Sequence, residues 1–505
     1  MADVLTIVTG EAPILTRPAQ PVAAINADVL RHIDGLQATL CAFRERHGHG
    51  RAMAAPQAGI GLRIIVAQLG GRPIAMINPH ITWRSGEMQE VWDDCLSLPS
   101  IAVKVLRHMS ISLAWLDERG RERHWQHLPP DMAELFQHEI DHLDGILMTA
   151  RAMDDRAIRS AGEGRRLIDG QRPVHRLSLE RIGQAARILD PVFRQTPQYE
   201  CPSLSARLGC RTVLKVETLN PLRCFKGRGA GFLLAQAAAR GESRPLVTAS
   251  AGNWGLALAY HCALQGRPLT VFTALNANPA KLDAIRYYGA DIRQTGHDFD
   301  SAKAQARDYS AQTGAWFVED GFEPNVSEGA GTIAVELLAG GDHYDAVFVP
   351  VGNGALISGM ARWLKASAPD IRVIGVCPRN ADAMYRSWLT RRVVSSLEAH
   401  TKADGLAVRV PVPEALEDMR GVVDDIVLAN EEQIALAAHY ALKYAGLILE
   451  PSGAAALAGI LAYAGKIASD SRVAAILTGA NLNPSLPNAL HAIDDASPAP
   501  ARLAQ

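Results

Sequence analysis

Two different rhythms of apolar and polar positions run along this chain. Up to about residue 150, the runs RIIVAQL (63–69) and PIAMINP (73–79) predict short strands, and HMSISLAWLD (108–117) alternates with period two as a half-buried strand does. DMAELFQHEIDHLDGILM (131–148) changes to helical spacing, with Leu135, His138 and His142 on one stripe. The Arg-rich stretch that follows carries charge without a sustained apolar face and predicts a linker with one solvated helix.

From about residue 185 buried strands alternate with Ala-rich helices. RTVLKVE (211–217), PLVTAS (245–250), PLTVFTAL (268–275), DAVFVPVG (345–352), RVIGVCP (372–378) and VAAILTG (473–479) are the strands, with helical runs between them such as GAGFLLAQAAARG (229–241) and GLALAYHCALQG (255–266). Such alternation predicts a mostly parallel sheet covered by helices on both faces, with ligands held at the carboxyl ends of its strands. Glycine and asparagine cluster at those ends, at Gly252–Asn253, Gly352–Gly354 and Gly479. The expected division is a first domain over 1–155, a linker over 156–184 and a second domain over 185–505, with an Ala/Pro tail fraying after about residue 494.

Composition changes this picture little. Of 505 residues 48% are hydrophobic and 21% charged, and the formal net charge is −2, values that give no sign of a nucleic-acid or anionic-membrane partner. The seven cysteines, Cys41, Cys95, Cys201, Cys210, Cys224, Cys262 and Cys377, are odd in number and scattered, as reduced thiols in a cytosol would be. No apolar run approaches the ~18 residues of a membrane helix, and the start lacks a secretory signal, so the protein is expected to be cytoplasmic.

Candidate chemistry is concentrated in two places. HEIDH sets His138 and His142 at i and i+4 with Glu139 beside them, half of a tetrahedral metal site with a group able to handle the protons of water. GRAMAAPQ (50–57) and DDCLSLP (93–99) precede it, and the three in this order resemble the peptide deformylase signature set, over about residues 5–152. The resemblance implies an α+β metallohydrolase domain. In it Cys95, His138 and His142 would bind Fe2+ or Zn2+, Glu139 would be the acid/base, and Gln57 with the Leu96 N–H would steady the oxyanion. Ala52 replaces a usual glycine, and Asp93–Asp94 replace Glu-Gly before the cysteine. Those departures point away from nascent formyl-methionyl proteins and toward a small N-formyl compound.

The second place is LKVETLNPLRCFKGRG (214–229), where Lys226 opens a helix after a strand and turn. A lysine of lowered pKa can condense with an aldehyde. With VTASAGNWGLALAY, PVGNGALISGM, TKADGLAV, LEPSGAAALA and ILTGANLN in order, the segment resembles fold-type-II (tryptophan synthase β-like) pyridoxal-phosphate enzymes, and their serine/threonine dehydratase branch above all. That resemblance implies an α/β domain and a homodimer. Lys226 would carry pyridoxal 5'-phosphate, with Phe225 beside the ring and Asn253 on its hydroxyl. Gly352, Asn353, Gly354, Ala355 and Leu356 would cradle the phosphate, and Thr478 would face the pyridine nitrogen. Ser250, Ala251, Gly252 and Asn253 would clasp the carboxylate of an amino-acid substrate. Racemases of this fold carry a serine where Ala251 stands, so a one-sided lyase is implied. Cys224, Trp254 and Cys377 replace a serine, a histidine or similar residue, and a glutamate of the branch.

The expected function is therefore bifunctional. A metal-dependent deformylation would free the α-amine that the second chemistry needs, and β-elimination would then give a 2-oxo acid and ammonia. The alternative is a pyridoxal-phosphate lyase or β-replacement enzyme, acting for example on 2,3-diaminopropionate or 3-hydroxyaspartate, with a non-catalytic deformylase-like domain that binds or regulates.

Overall fold

The computed structural model describes residues 3–482 except 11, 71–72, 155, 162, 164–174, 276 and 278. These divide into two units, one running to Ser178 and one from Leu179 onward, apart from the short segments Lys365–Asp370 and Arg420–Val422, which group with the first.

The first unit is α+β with antiparallel sheets. Strands β1 (Ala52–Ala54), β2 (Ile64–Ala67), β3 (Ile74–Arg84), β6 (Ile111–Leu116) and β7 (Glu122–Trp125) form one sheet in the order β1-β2-β3-β6-β7. Strands β4 (Met88–Asp94), β5 (Ile101–His108) and β8 (Ile158–Ser160) form another, in the order β4-β5-β8. A helix over Ala27–His47, capped by the Asn26 side chain on the N–H groups of Asp28 and Val29, turns Val29, Ile33, Leu36 and Leu40 onto Ile64, Val66 and Ile77. The second helix, Pro130–Leu143, has proline at its first turn and is buried from Asp131 to Leu143. It ends five residues before the predicted boundary at Met148. Gly145 follows it at φ +73°, and a Cβ there would lie 2.8 Å from the carbonyl carbon of Arg17, so the chain must turn away at this point.

The second unit holds two sheets. Strands β9 (Gln198–Glu200), β10 (Arg211–Val216), β15 (Ala346–Pro350), β16 (Arg372–Pro378), β17 (Asp425–Ala429) and β18 (Arg472–Leu477) run in the order β17-β16-β15-β18-β10-β9. All of these pairings are parallel except that of β9 with β10. Strands β11 (Leu246–Ala249), β12 (Leu269–Thr273), β13 (Asp291–Gln294) and β14 (Trp316–Phe317) form an all-parallel sheet ordered β13-β12-β11-β14. The six predicted strands are β10, β11, β12, β15, β16 and β18, and nearly all of their residues are buried, as in sheets covered on both faces.

The stretch expected as a linker, 156–184, includes 164–174, which lie outside the described residues, as does the tail after residue 494. At its two ends the stretch is built into structure. Ile158–Ser160 pairs with β5, and the helix Leu179–Ile188 buries Ile182 and Ala185.

Candidate active sites

In the first unit, Cys95 lies just past the end of β4, while His138 and His142 project from the buried helix. One ligand atom from each lies within 4.8 Å of the others, and all three residues are buried. Cys95 Sγ is 3.1 Å from His142 Nε2. The Gln57 amide is oriented by the Ala54 N–H, which donates to its Oε1 at 2.9 Å, so that its Nε2 donates toward Cys95 Sγ at 3.6 Å. Leu96 is half-buried against the apolar core behind this turn.

Asp93, read from sequence only as a departure from the family pattern, proves to be part of the site. Its Oδ2 meets His138 Nδ1 at 3.2 Å and accepts from Arg107 Nη2 at 2.6 Å, and Arg107 also bonds Asp141. Burial alone would raise the Asp93 carboxyl, but Arg107 and His138 outweigh it and hold it well below the usual range. With Nδ1 so held, His138 has its Nε2 left for a metal, the arrangement by which an outer carboxylate fixes a ligating imidazole. Burial pushes the Glu139 carboxyl up to about 7, and its Oε2 has no hydrogen-bond partner among the described residues. A cysteine sulfur and two imidazoles around one point, with Glu139 next to His138 in the same helix, fit a catalytic divalent metal that leaves one position open.

In the second unit, one cleft of about 670 Å³ is lined by Phe225, Lys226, Ser250–Trp254, Gly352–Leu356 and Thr478. Every residue predicted for cofactor and substrate thus borders the same space. Lys226 opens the helix Lys226–Ala239, with its Nζ 4.6 Å from the centre of the Phe225 ring. Asn253 opens the helix after β11. One N–H of its amide is donated to Glu450 Oε1 at 2.6 Å, its Oδ1 accepts from Asn481 at 2.8 Å, and the second N–H is left for an acceptor in the cleft. Ser250 Oγ accepts from the N–H groups of Gly252 and Gly255 at 3.3 and 3.0 Å, which tightens the turn at that helix start. Ala251 is half-buried at the same turn and brings no side-chain proton donor.

The turn after β15 carries Gly354 at φ +89°, and a Cβ on Gly352 would meet the Gly405 carbonyl at 2.7 Å. Side chains there would close a cradle that leads into the N-terminus of the helix Ala355–Ser367, a place suited to a phosphate. Thr478 Oγ1 makes one long bond of 3.3 Å to the Ser452 carbonyl and borders the cleft. Trp254 packs into the core with its indole N–H donated to Thr248 at 3.1 Å, and burial pushes the thiols of Cys224 and Cys377 up to about 12. The residues present therefore fit pyridoxal phosphate.

Comparison with known proteins gives a family match in each unit. The pyridoxal-phosphate dependent enzyme family matches residues 189–479. The chain belongs to that family. The polypeptide deformylase family matches residues 4–157, so this member is a fusion of the two domains. Its larger part is 33% identical to the biosynthetic L-threonine dehydratase of Pasteurella multocida, over 58% of this chain and 57% of that protein. It is also 33% identical to the L-threonine ammonia-lyase of Thermotoga maritima, over 61% of this chain and 76% of that one. The chain thus spans little more than half of the first relative's length. The processed threonine deaminase isoform 2 of Solanum lycopersicum superposes with a TM-score of 0.57 at 29% identity, over 62% of this chain and 88% of the other.

Three acids around the sites had no role assigned from sequence: Asp93, Asp320 and Glu450. Asp320 Oδ2 accepts from Lys226 Nζ at 2.6 Å, and burial pushes Glu450 up to about 7. Glu450 stands inside the motif LEPSGAAALA and was open to detection there. Asp320 belongs to none of the motifs and carries no signal of its own.

Proposed function

We propose that this protein removes a formyl group from a small N-formyl amino acid and then eliminates ammonia from the freed amino acid to give a 2-oxo acid. The observation that carries the second step is the convergence of Lys226, Asn253, the 352–356 turn and Thr478 on one cleft. The set Cys95, His138 and His142, with Glu139 next to His138 and its Oε2 without a hydrogen-bond partner among the described residues, supports the first.

In the first unit a divalent metal, Fe2+ or Zn2+, would supply the Lewis acid. Glu139 takes a proton from the attacking water and returns it to the departing amine, giving formate and a free amino group. Gln57 Nε2 and the Leu96 N–H would donate to the oxygen on which negative charge develops. In the second unit pyridoxal phosphate would supply an electron sink, and it needs exactly the amine that formylation blocks. Lys226 Nζ removes the Cα proton, Asn253 and the Ser250–Gly252 turn orient the substrate, and Thr478, a hydroxyl, leaves the ring nitrogen without the charge a carboxylate would stabilise. A weaker sink favours prompt β-elimination over transamination. Ala251 offers no second acid or base, so protons move at one face only.

A homodimer acting in the cytoplasm belongs to the same reading, and the free cysteines agree with a reducing compartment. Sedimentation of the intact protein checks the dimer. The function is tested by a time course with an N-formyl-3-hydroxy amino acid, following formate, ammonia and 2-oxo acid together. Formate should appear first and the other two with a lag. Absence of formate, or 2-oxo acid arising only from material deformylated beforehand, contradicts the coupled sequence.

A further inference from the structure

Glu134, His138 and His142 stand four residues apart on the buried helix Pro130–Leu143 and form one row, with successive Cβ atoms about 5–6 Å apart. The two histidines belong to the metal site, and Glu134 has a different partner. Arg51, in the same GRAMAAPQ segment as Gln57, donates to the Glu134 carboxylate and, from Nη1, to the Asp131 carbonyl at 2.8 Å. Its guanidinium is thereby held one helical turn from His138. The charge is felt at Glu139, where burial raises the carboxyl and Arg51 is among the cations that oppose the rise. An arginine has five N–H donors, and among the described residues Arg51 donates two of them to protein acceptors. The Glu134 side chain is 3% exposed and that of Arg51 27%, so the carboxylate fixes the inner edge of the guanidinium and the outer edge stays open.

What this open edge can meet follows from the size of the substrate. In an N-formyl amino acid the carboxylate oxygens lie about 4–5 Å from the formyl carbon, by ordinary bond lengths. That is close to the spacing between His138 and Glu134 along their row. A formyl group beside His138 and Glu139 therefore brings its own carboxylate within reach of Arg51, and a planar guanidinium matches a carboxylate with two parallel hydrogen bonds. We propose that Arg51 binds the free α-carboxylate of the substrate, so that the first site accepts single N-formyl amino acids and refuses formyl peptides, whose first residue carries an amide in that place. This deepens the deformylation reading and rests on it. It also suits the second unit, where the Ser250–Asn253 turn would clasp the same carboxylate. A compound chosen by Arg51 leaves the first site with both its amine and its carboxylate free.

The test uses the intact chain with N-formylserine, its carboxamide, and N-formylserylglycine, which keeps a carboxylate but moves it one residue away. Formate release by the wild type should favour N-formylserine over both others. Arg51→Gln should lower kcat/KM for N-formylserine roughly ten- to hundredfold, the range of a lost charge-assisted hydrogen bond, and leave that for the carboxamide within about twofold. Arg51→Lys should recover part of the loss. Removing Arg51 leaves Glu134 buried without this cation, so Arg51→Gln combined with Glu134→Gln gives a second comparison, and it should lose the preference for the acid in the same way. A readout independent of turnover is equilibrium dialysis of N-formylserine against Glu139→Gln, which keeps the metal ligands but not the acid/base. Retention should weaken at least tenfold when Arg51→Gln is added. A wild type that deformylates the carboxamide or the dipeptide as well as N-formylserine overturns the proposal and leaves the deformylation reading standing. So does an Arg51→Gln that loses the same factor on all three. If the variants do not fold, the wild-type ranking of the three compounds decides. No formate from any of them overturns the deformylation reading, and dialysis then decides for or against Arg51.

Discussion

Glu450 shows how much a single side chain can tie the cleft to pH. It is buried, it accepts from Asn253, and its carboxyl is pushed up to about 7, against an ordinary value of 4.5. Between those values the folded chain keeps a proton that the unfolded chain gives up, so stability falls as pH rises through this window and levels off above it. The full difference is about 3 kcal/mol, from ~1.4 kcal/mol for each pH unit. Glu450→Gln keeps an acceptor for Asn253 and cannot ionise. Its melting temperature should match that of the wild type near pH 5 and exceed it increasingly toward pH 8, as measured by calorimetry on cofactor-free protein. Equal melting curves at both pH values would mean that Glu450 is not held protonated. This residue also marks where reading from sequence stops. Lys226, Asn253 and Gly354 were legible because each stands in a motif whose spacing states a backbone demand. A lone acid such as Asp320 or Asp93 acquires meaning only when folding brings Lys226 or His138 against it, from 94 and 45 residues away respectively.

At the scale of elements, the start of the Lys226 helix is fixed by an ionic cluster in the core. Arg228, fully buried, donates to Glu217 just beyond β10 and to Glu336 in the helix Pro324–Ala339, with Nε–Glu217 and Nη1–Glu336 distances of 2.7 Å. Lys215 of β10 joins Glu336 at 2.7 Å as well. Two residues after the lysine that would hold the cofactor, this clamp joins a strand and two helices. Arg228→Leu leaves Glu217 without a cation inside the core and should cost about 3–5 kcal/mol, the usual result of removing one partner from a buried pair. A fall in urea midpoint together with weaker cofactor retention would be seen, whereas Arg228→Lys should recover part of the stability. Of the elements themselves, the central strands were plain from their apolar runs. The short edge strands β9, β13 and β14 were not, because two to four half-exposed residues carry no period. The helix Ala27–His47 escaped notice even though its apolar positions recur at helical spacing, since His, Arg and Gly residues interrupt the stripe.

At the scale of the whole molecule, each candidate site is complete within its own unit. Cys95, His138, His142, Glu139 and Gln57 all belong to the first, and Lys226, Asn253, Gly352–Leu356 and Thr478 to the second. Two sites that share no residue should be open to separate inactivation, whereas a first unit that merely bound or regulated would give a different pattern. A chelator that strips the metal should stop formate release and leave 2-oxo acid formation from the free amino acid unchanged. Borohydride, which would fix a cofactor held by Lys226, should do the reverse: formate continues and 2-oxo acid ceases. On the N-formyl substrate either treatment should abolish the final product, because a blocked amine cannot condense with the cofactor. Covalent fusion raises the local concentration of the freed amino acid near the second site, so the lag before 2-oxo acid should be shorter for the intact chain than for an equimolar mixture of chelated and borohydride-treated protein. Equal lags would leave two activities on one chain with no benefit from their linkage. Chelation that leaves the N-formyl substrate fully converted would remove the first unit from catalysis altogether.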